Sequence, residues 1–214
     1  IGQGAGAVFT TGSRNIVLGY DAFLAASGAE SDNIAIGVSA LGTLNDDTSI
    51  RNIAIGNYAL DATSTNNANN NVAIGYNAGT AVTSGTNNIL IGNASGADIQ
   101  TGDQNTCVGD GTNPSAAGGA NQSVIGYAAT GVADNSVTLG NASVTAVYMS
   151  QDSEALVHCA GIQFAGTQVA NAGANVLDDY EEGTWTPVLR FGGNSVSIAY
   201  NATYQHGAYT KVGN

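Results

Sequence analysis

A nine-residue stretch, Asn52-Ile53-Ala54-Ile55-Gly56-Asn57-Tyr58-Ala59-Leu60, constrains this chain more than any other feature because it recurs. Close copies begin at Asn15, Asn33 and Asn71. Weaker ones centre on Gly92, Gly109, Gly126 and Gly140, and a truncated copy opens the chain at Ile1-Gly2. The anchoring glycines at 2, 19, 37, 56, 75, 92, 109, 126 and 140 are separated by 17, 18, 19, 19, 17, 17, 17 and 14 residues. A period this short, sustained over so many copies, predicts a solenoid with one coil per repeat.

Aligning the copies on their glycine gives columns with physical meaning. The positions three and one before it are Ile16/Leu18, Ile34/Ile36, Ile53/Ile55, Val72/Ile74, Ile89/Ile91, Thr106/Val108, Ser123/Ile125 and Val137/Leu139. Alternate residues of a strand share a face, so these pairs form one apolar face, expected as the spine inside the solenoid. The third position after the glycine is always small (Ala5, Ala22, Ala40, Ala59, Ala78, Ser95, Thr112, Ala129, Ser143), as suits a place where the coil turns back. The glycine itself fits a backbone of positive φ or a close neighbour at the corner. Asn15, Asn33, Asn52, Asn71, Asn88 and Asn105, four before it, can bond neighbouring backbone at the turn into the strand and tolerate a left-handed conformation.

The middle column of the strand is Val17, Ala35, Ala54, Ala73, Leu90, Cys107, Val124 and Thr138. With the flanking pairs inside, this column is expected to point outward, where an isolated solenoid would show polar residues. Strands apolar on both faces are covered on both faces, and an apolar stripe along a rod is too large to leave in water. The simplest cover is another copy of the chain. The sequence therefore predicts a homo-oligomer about a common axis, with Val17, Ala35, Ala54, Ala73, Leu90 and Val124 at the interface.

Composition narrows the function classes. Only 9% of the residues are charged, and four Lys+Arg stand against sixteen Asp+Glu, for a net charge of -12. That balance argues against binding a phosphate backbone, so nucleic acid is not an expected partner. No run of about 18 apolar residues suggests a membrane span, and no basic start with an apolar core suggests a signal peptide. The chain begins in mid-repeat and stops straight after a strand-like run at Lys211-Val212-Gly213-Asn214, so it is expected to be an internal piece of a longer one.

Two cysteines, Cys107 and Cys159, lie 52 residues apart and are expected to be reduced. Cys107 reads as a small apolar residue of a strand. His158 beside Cys159 resembles a nucleophile pair, but adjacent strand residues diverge to opposite faces, and no further ligands recur at zinc spacing. The cluster Asp178-Asp179-Tyr180-Glu181-Glu182 reads as a solvated acidic turn before a glycosidase pair or a cation site. No catalytic residue, cofactor or metal is expected, and the chain is not read as an enzyme.

Residues 1–148 form the repeat array, 149–176 a connector, and 177–214 the start of a C-terminal β domain expected to continue beyond Asn214. Each coil carries a polar insertion, such as Thr43-Leu44-Asn45-Asp46-Asp47-Thr48-Ser49, expected as a surface loop. Eight anchor intervals at the spacing of stacked strands give a rod about 38 Å long. The last repeat, from Asn135, runs into a second β-prone segment ending at Met149 and is expected to cap the core. In the connector, Gly161-Ile162-Gln163-Phe164 is strand-like. Beyond Leu177, alternating runs through Val188, Arg190, Val196, Ile198, Tyr200, Tyr204, Tyr209 and Lys211 predict antiparallel strands.

The Asn-x-Ala-Ile-Gly-x-x-Ala repeats resemble the head of YadA-type trimeric autotransporter adhesins, although most repeats here, at 17 to 19 residues, are longer. Repeats of this kind ending in Asn135-Ser136-Val137-Thr138-Leu139-Gly140-Asn141-Ala142-Ser143-Val144-Thr145-Ala146-Val147-Tyr148-Met149 are similar to those of bacteriophage tail fibres. The segment Leu177-Asp178-Asp179-Tyr180-Glu181-Glu182-Gly183-Thr184-Trp185-Thr186-Pro187 is similar to one that begins a C-terminal β domain in phage tail and virion proteins. The resemblance implies an all-β chain: a left-handed parallel β-roll or β-solenoid wound as a homotrimer, followed by a small antiparallel β domain. It also implies a virion, extracellular location, with other tail or baseplate proteins at the N-terminal end. A host cell-surface receptor, glycan included, would be met at the C-terminal end. Tyr180, Trp185, Tyr200, Tyr204 and Tyr209 are the candidate receptor contacts, since aromatics with polar tips are frequent at binding surfaces. A tailspike-like glycan depolymerase and a bacterial trimeric adhesin are the alternative readings.

Overall fold

The computed structural model describes residues 1–7, 11–25, 30–43, 49–62, 68–148, 180–185, 190–191, 194–195 and 207–212. The chain divides into two compact units, Ile1–Tyr148 and Met149–Asn214. It is all-β, with no helix among the described residues.

The first unit is a parallel β-solenoid. Its strands are β1 (Ile16–Leu18), β2 (Ile34–Ile36), β3 (Ile53–Ile55), β4 (Val72–Ile74), β5 (Ile89–Ile91), β6 (Thr106–Val108), β7 (Gln122–Ile125) and β8 (Ser136–Leu139). They form one sheet in chain order, each pairing in parallel with the next. The register sets every repeat column on itself: Ile34 opposite Ile53, Ala35 opposite Ala54, Ile36 opposite Ile55. Seven intervals at the usual strand spacing make a sheet about 34 Å long.

Two columns of unusual backbone bound these short strands. The residue before each asparagine is left-handed, with φ of 59° at Arg14, 63° at Asp32, 59° at Arg51 and 58° at Asn70. The left-handed turn into the strand thus falls one residue earlier than the asparagines themselves. At the other end the anchoring glycines hold φ between 132° and 145° from Gly19 to Gly126, a region that side chains rarely enter. They also stack on one another, so that a Cβ on Gly75 would overlap the carbonyl oxygen of Gly92.

Inside and outside are reversed relative to the sequence expectation. Ala35, Ala54, Ala73, Leu90, Cys107 and Val124 are fully buried within a single chain, and Val17 packs against them. The middle column is therefore the interior of the coil and cannot be the surface between copies. The flanking positions face outward: Ile16 is 55% exposed, Ile89 42% and Ile125 44%. Size is the physical reason. A coil of 17 to 19 residues encloses little space, and the turn that follows the glycine already fills much of it.

That turn supplies core residues which the repeat columns did not single out. Phe23, Leu41 and Leu60, four after the glycine, are fully buried beside the small column Ala22, Ala40 and Ala59. All three adopt positive φ (52°, 52° and 50°), costing about 1–2 kcal/mol each, which burial of a large apolar side chain offsets. Further along, the same position becomes Gly79 and Gly96, and volume is supplied from elsewhere. The middle column grows from Ala73 to Leu90, and Val82 and Ile99 enter the core. A Cβ on Gly79 would stand 2.7 Å from Leu90 Cδ1 and 2.9 Å from Leu60 Cδ2, so the exchange is steric.

The last repeat pairs through β8, but residues 144–148 form no strand, so the second β-prone segment is not an element there. Val137 (67%) and Tyr148 (78%) are exposed there. In the second unit, β9 (Tyr180–Trp185) pairs antiparallel with β12 (Gly207–Val212), and β10 (Arg190–Phe191) with β11 (Asn194–Ser195). The connector 149–176, with Gly161 to Phe164, His158 and Cys159, lies outside the described residues, as do Val188, Val196 and Ile198.

Candidate functional site

A ladder of asparagines runs through the interior, and it is structural. Asn33, Asn52, Asn71, Asn88 and Asn105 are fully buried. Each side-chain oxygen accepts the backbone N–H of the next rung: Asn52 donates to Asn33 Oδ1 at 2.9 Å, Asn71 to Asn52 at 3.0 Å and Asn88 to Asn71 at 3.0 Å. The amide nitrogens donate across the turn to the carbonyls of Ala68, Gly85, Gly102 and Gly119. The expected bonding of these asparagines to neighbouring backbone is what the structure shows. Gln122 ends the ladder, donating from Nε2 to Ser115 Oγ and Asp134 Oδ1.

The outer face of the sheet is the surface this scaffold displays. It consists of two rows. One row is Leu18, Ile36, Ile55, Ile74, Ile91, Val108, Ile125 and Leu139, unbroken and wholly apolar; the other is Ile16, Ile34, Ile53, Val72, Ile89, Thr106, Ser123 and Val137. All of these side chains are half-buried or exposed, and none carries a charge. Exposed tyrosines border the face just past the glycine corner: Tyr20, Tyr58, Tyr76 and Tyr127, with Tyr58 and Tyr76 in edge-to-face contact at 6.0 Å between ring centres.

Charge is kept off this face. Arg14 Nε donates to Asp32 Oδ1 at 2.5 Å and Nη2 to Oδ2 at 2.8 Å, tying the first two coils at the turn into the strand. The hydrogen bond from Arg14 holds the Asp32 carboxyl below its ordinary range, and the charges of Arg14 and Arg51 add to it. The Asp134 carboxyl is likewise lowered, first by the N–H of Ala120 and then by Gln122. Asp61 moves the other way because burial disfavours its charge. Between residues 52 and 148 the sequence holds no Lys or Arg, so this part of the array carries only negative charge.

The candidate receptor residues fall in the second unit. Tyr180 and Trp185 bound β9, opposite Val212 and Gly207 respectively, and Tyr209 lies on β12 opposite Gly183. Tyr200 and Tyr204 lie outside the described residues, as do Asp178 and Asp179 of the acidic segment, while Glu181 and Glu182 belong to β9. Among the described residues no group of three or more His, Cys, Asp or Glu side chains is placed to hold a metal ion. Comparison with family models and with curated proteins gives no match for this sequence.

Proposed function

We propose that the chain is a structural protein, the trimeric shaft of a phage tail fibre, which presents a C-terminal region to a host receptor. The observation that carries the assembly half of this reading is the uncharged outer face. About eight of its Ile, Val and Leu side chains stand roughly half exposed, and covering each contributes about 1 kcal/mol, or about 8 kcal/mol per copy. That is of the order of the cost of association, which is about 4–15 kcal/mol. A chain of net charge -12 repels its own copies through any charged surface, so self-association is directed to the face that has none. The number three rests on the resemblance of the repeats to trimeric adhesin heads and phage fibres, with the copies parallel about one axis.

The receptor-binding half rests on a division of surface chemistry. The array repeats one pattern coil after coil, which makes a stiff spacer but little unique surface. The region after Leu177, read as a small antiparallel β domain, concentrates Tyr180, Trp185, Tyr200, Tyr204 and Tyr209. The reading is tested by exchanging residues 177 to the C-terminus between two fibres of different host range. Host range that follows the exchanged end supports it; host range that stays with the array overturns it.

A further inference from the structure

A ladder of like residues at one spacing has a weakness as an interface: it matches itself in many registers. Two copies displaced by one coil would still face each other over seven of eight levels, with Ile, Val or Leu against Ile, Val or Leu at most of them. Hydrophobic contact alone therefore discriminates weakly between aligned and slipped assemblies.

The face is interrupted at one place. In the row that is otherwise Ile16, Ile34, Ile53, Val72, Ile89 and Val137, the residues of β6 and β7 are Thr106 and Ser123. They are register partners on adjacent coils and both are half-buried. Their hydroxyls make no hydrogen bond among the described residues, which leaves them open to a partner across the face.

We infer that Thr106 and Ser123 are the register key of the assembly, two polar levels that align the copies along the axis. The inference rests on the self-association proposed above. With copies aligned, the hydroxyls of Thr106 from all chains share one level and those of Ser123 the next, where they can bond one another or a shared water. A slip of one coil sets Thr106 of one copy at the level of Ile89 of its neighbour and the neighbour's Ser123 at the level of Val137, and only the remaining Ser123 and Thr106 still meet. Two of the four hydroxyls of the pair are then pressed against apolar side chains with their hydrogen bonds unmade, whereas none is in the aligned pair. A single polar position in an apolar seam is known to select register in this way, at some cost in stability.

The test uses the full chain with Cys159→Ser, in which the remaining Cys107 is buried, and two variants with one added surface cysteine each, Ile55→Cys and Ile91→Cys, assembled together. These positions lie two coils apart, about 9.6 Å along the axis in an aligned assembly, and a slip of one coil brings them to about 4.8 Å. A disulfide requires Cα atoms within about 7 Å, so a mixed 55–91 disulfide reports slippage. Peptide mass mapping after oxidation should find links between like positions and almost no mixed link. Adding Thr106→Val and Ser123→Val should raise the mixed link roughly tenfold, while Thr106→Ser with Ser123→Thr should leave it low. Mixed links as frequent before as after the valine changes overturn the register key while leaving the assembly standing. A light-scattering mass of a single chain overturns both.

Discussion

The side-chain oxygen of Asn71 accepts two hydrogen bonds from Asn88, from its backbone N–H at 3.0 Å and from its amide nitrogen at 3.1 Å. One coil is thereby tied to the next at a point where water does not reach. Because the same bond recurs from Asn15 to Gln122, the ladder holds the coils in register while the insertions between them vary in length.

Replacing Asn71 with Ala leaves the Asn88 N–H and the Gly85 carbonyl buried without their partner. The expected loss is about 3 kcal/mol, read as a fall in thermal midpoint of roughly 6–12 °C for a chain of this size. A change within about 1 °C would show that the ladder contributes little.

The glycine column gives a contrast within one residue type. At Gly75, φ is 142° and an added Cβ overlaps Gly92 O, so Gly75→Ala is expected to cost about 3–5 kcal/mol. At Gly111, φ is 65° and the nearest atom to a Cβ is 3.8 Å away, so Gly111→Ala meets only the left-handed penalty of about 1–2 kcal/mol. Denaturant midpoints of the two variants should fall in that order.

Most of the scaffold could be read from the columns, because a solenoid repeats the same physical problem at each coil. The close-packed glycines, the small residues at the turn and the asparagine ladder each have one chemistry that fits. The direction of the strands' two faces could not be read the same way. In Ile53-Ala54-Ile55 both faces are apolar, and the larger pair invites placement inside. Only the filling of the coil by Phe23, Leu41 and Leu60 decides that alanine belongs there, and those side chains arrive from a left-handed turn that no strand or helix period announces. The shift to Gly79 with Leu90 hid the same column further along.

Acid should weaken the array through Asp134. Its carboxyl accepts hydrogen bonds from Ala120 and Gln122, which lower its folded value below the ordinary 3.8. A group depressed on folding contributes stability above its unfolded value and loses it as the pH falls through the folded one. Asp32, lowered by Arg14, has the same sign, whereas Asp61, raised by burial, opposes them. Thermal midpoints should therefore drop between about pH 5 and pH 3, and Asp134→Asn should flatten that slope. An unchanged slope in the variant would contradict the assignment.

Cys107 should resist alkylation in the folded chain. It is fully buried, and burial pushes its thiol up to about 11. Since the thiolate is the reactive form, iodoacetamide at neutral pH should label Cys107 only after denaturation. Rapid labelling in native buffer would show that the coil opens readily there.

The central claim is that copies associate through the outer rows, and mass in solution tests it most directly. Light scattering from the full chain should give three times its 21.3 kDa mass. Ile55→Glu, which sets like charges together on the outer face, should give a single-chain mass with an unchanged circular dichroism spectrum. Ala54→Glu, one residue away but inside the coil, should lose the spectrum itself, because a charge cannot be housed there. A wild-type mass of one chain, or an Ile55→Glu variant that stays assembled, would contradict the account.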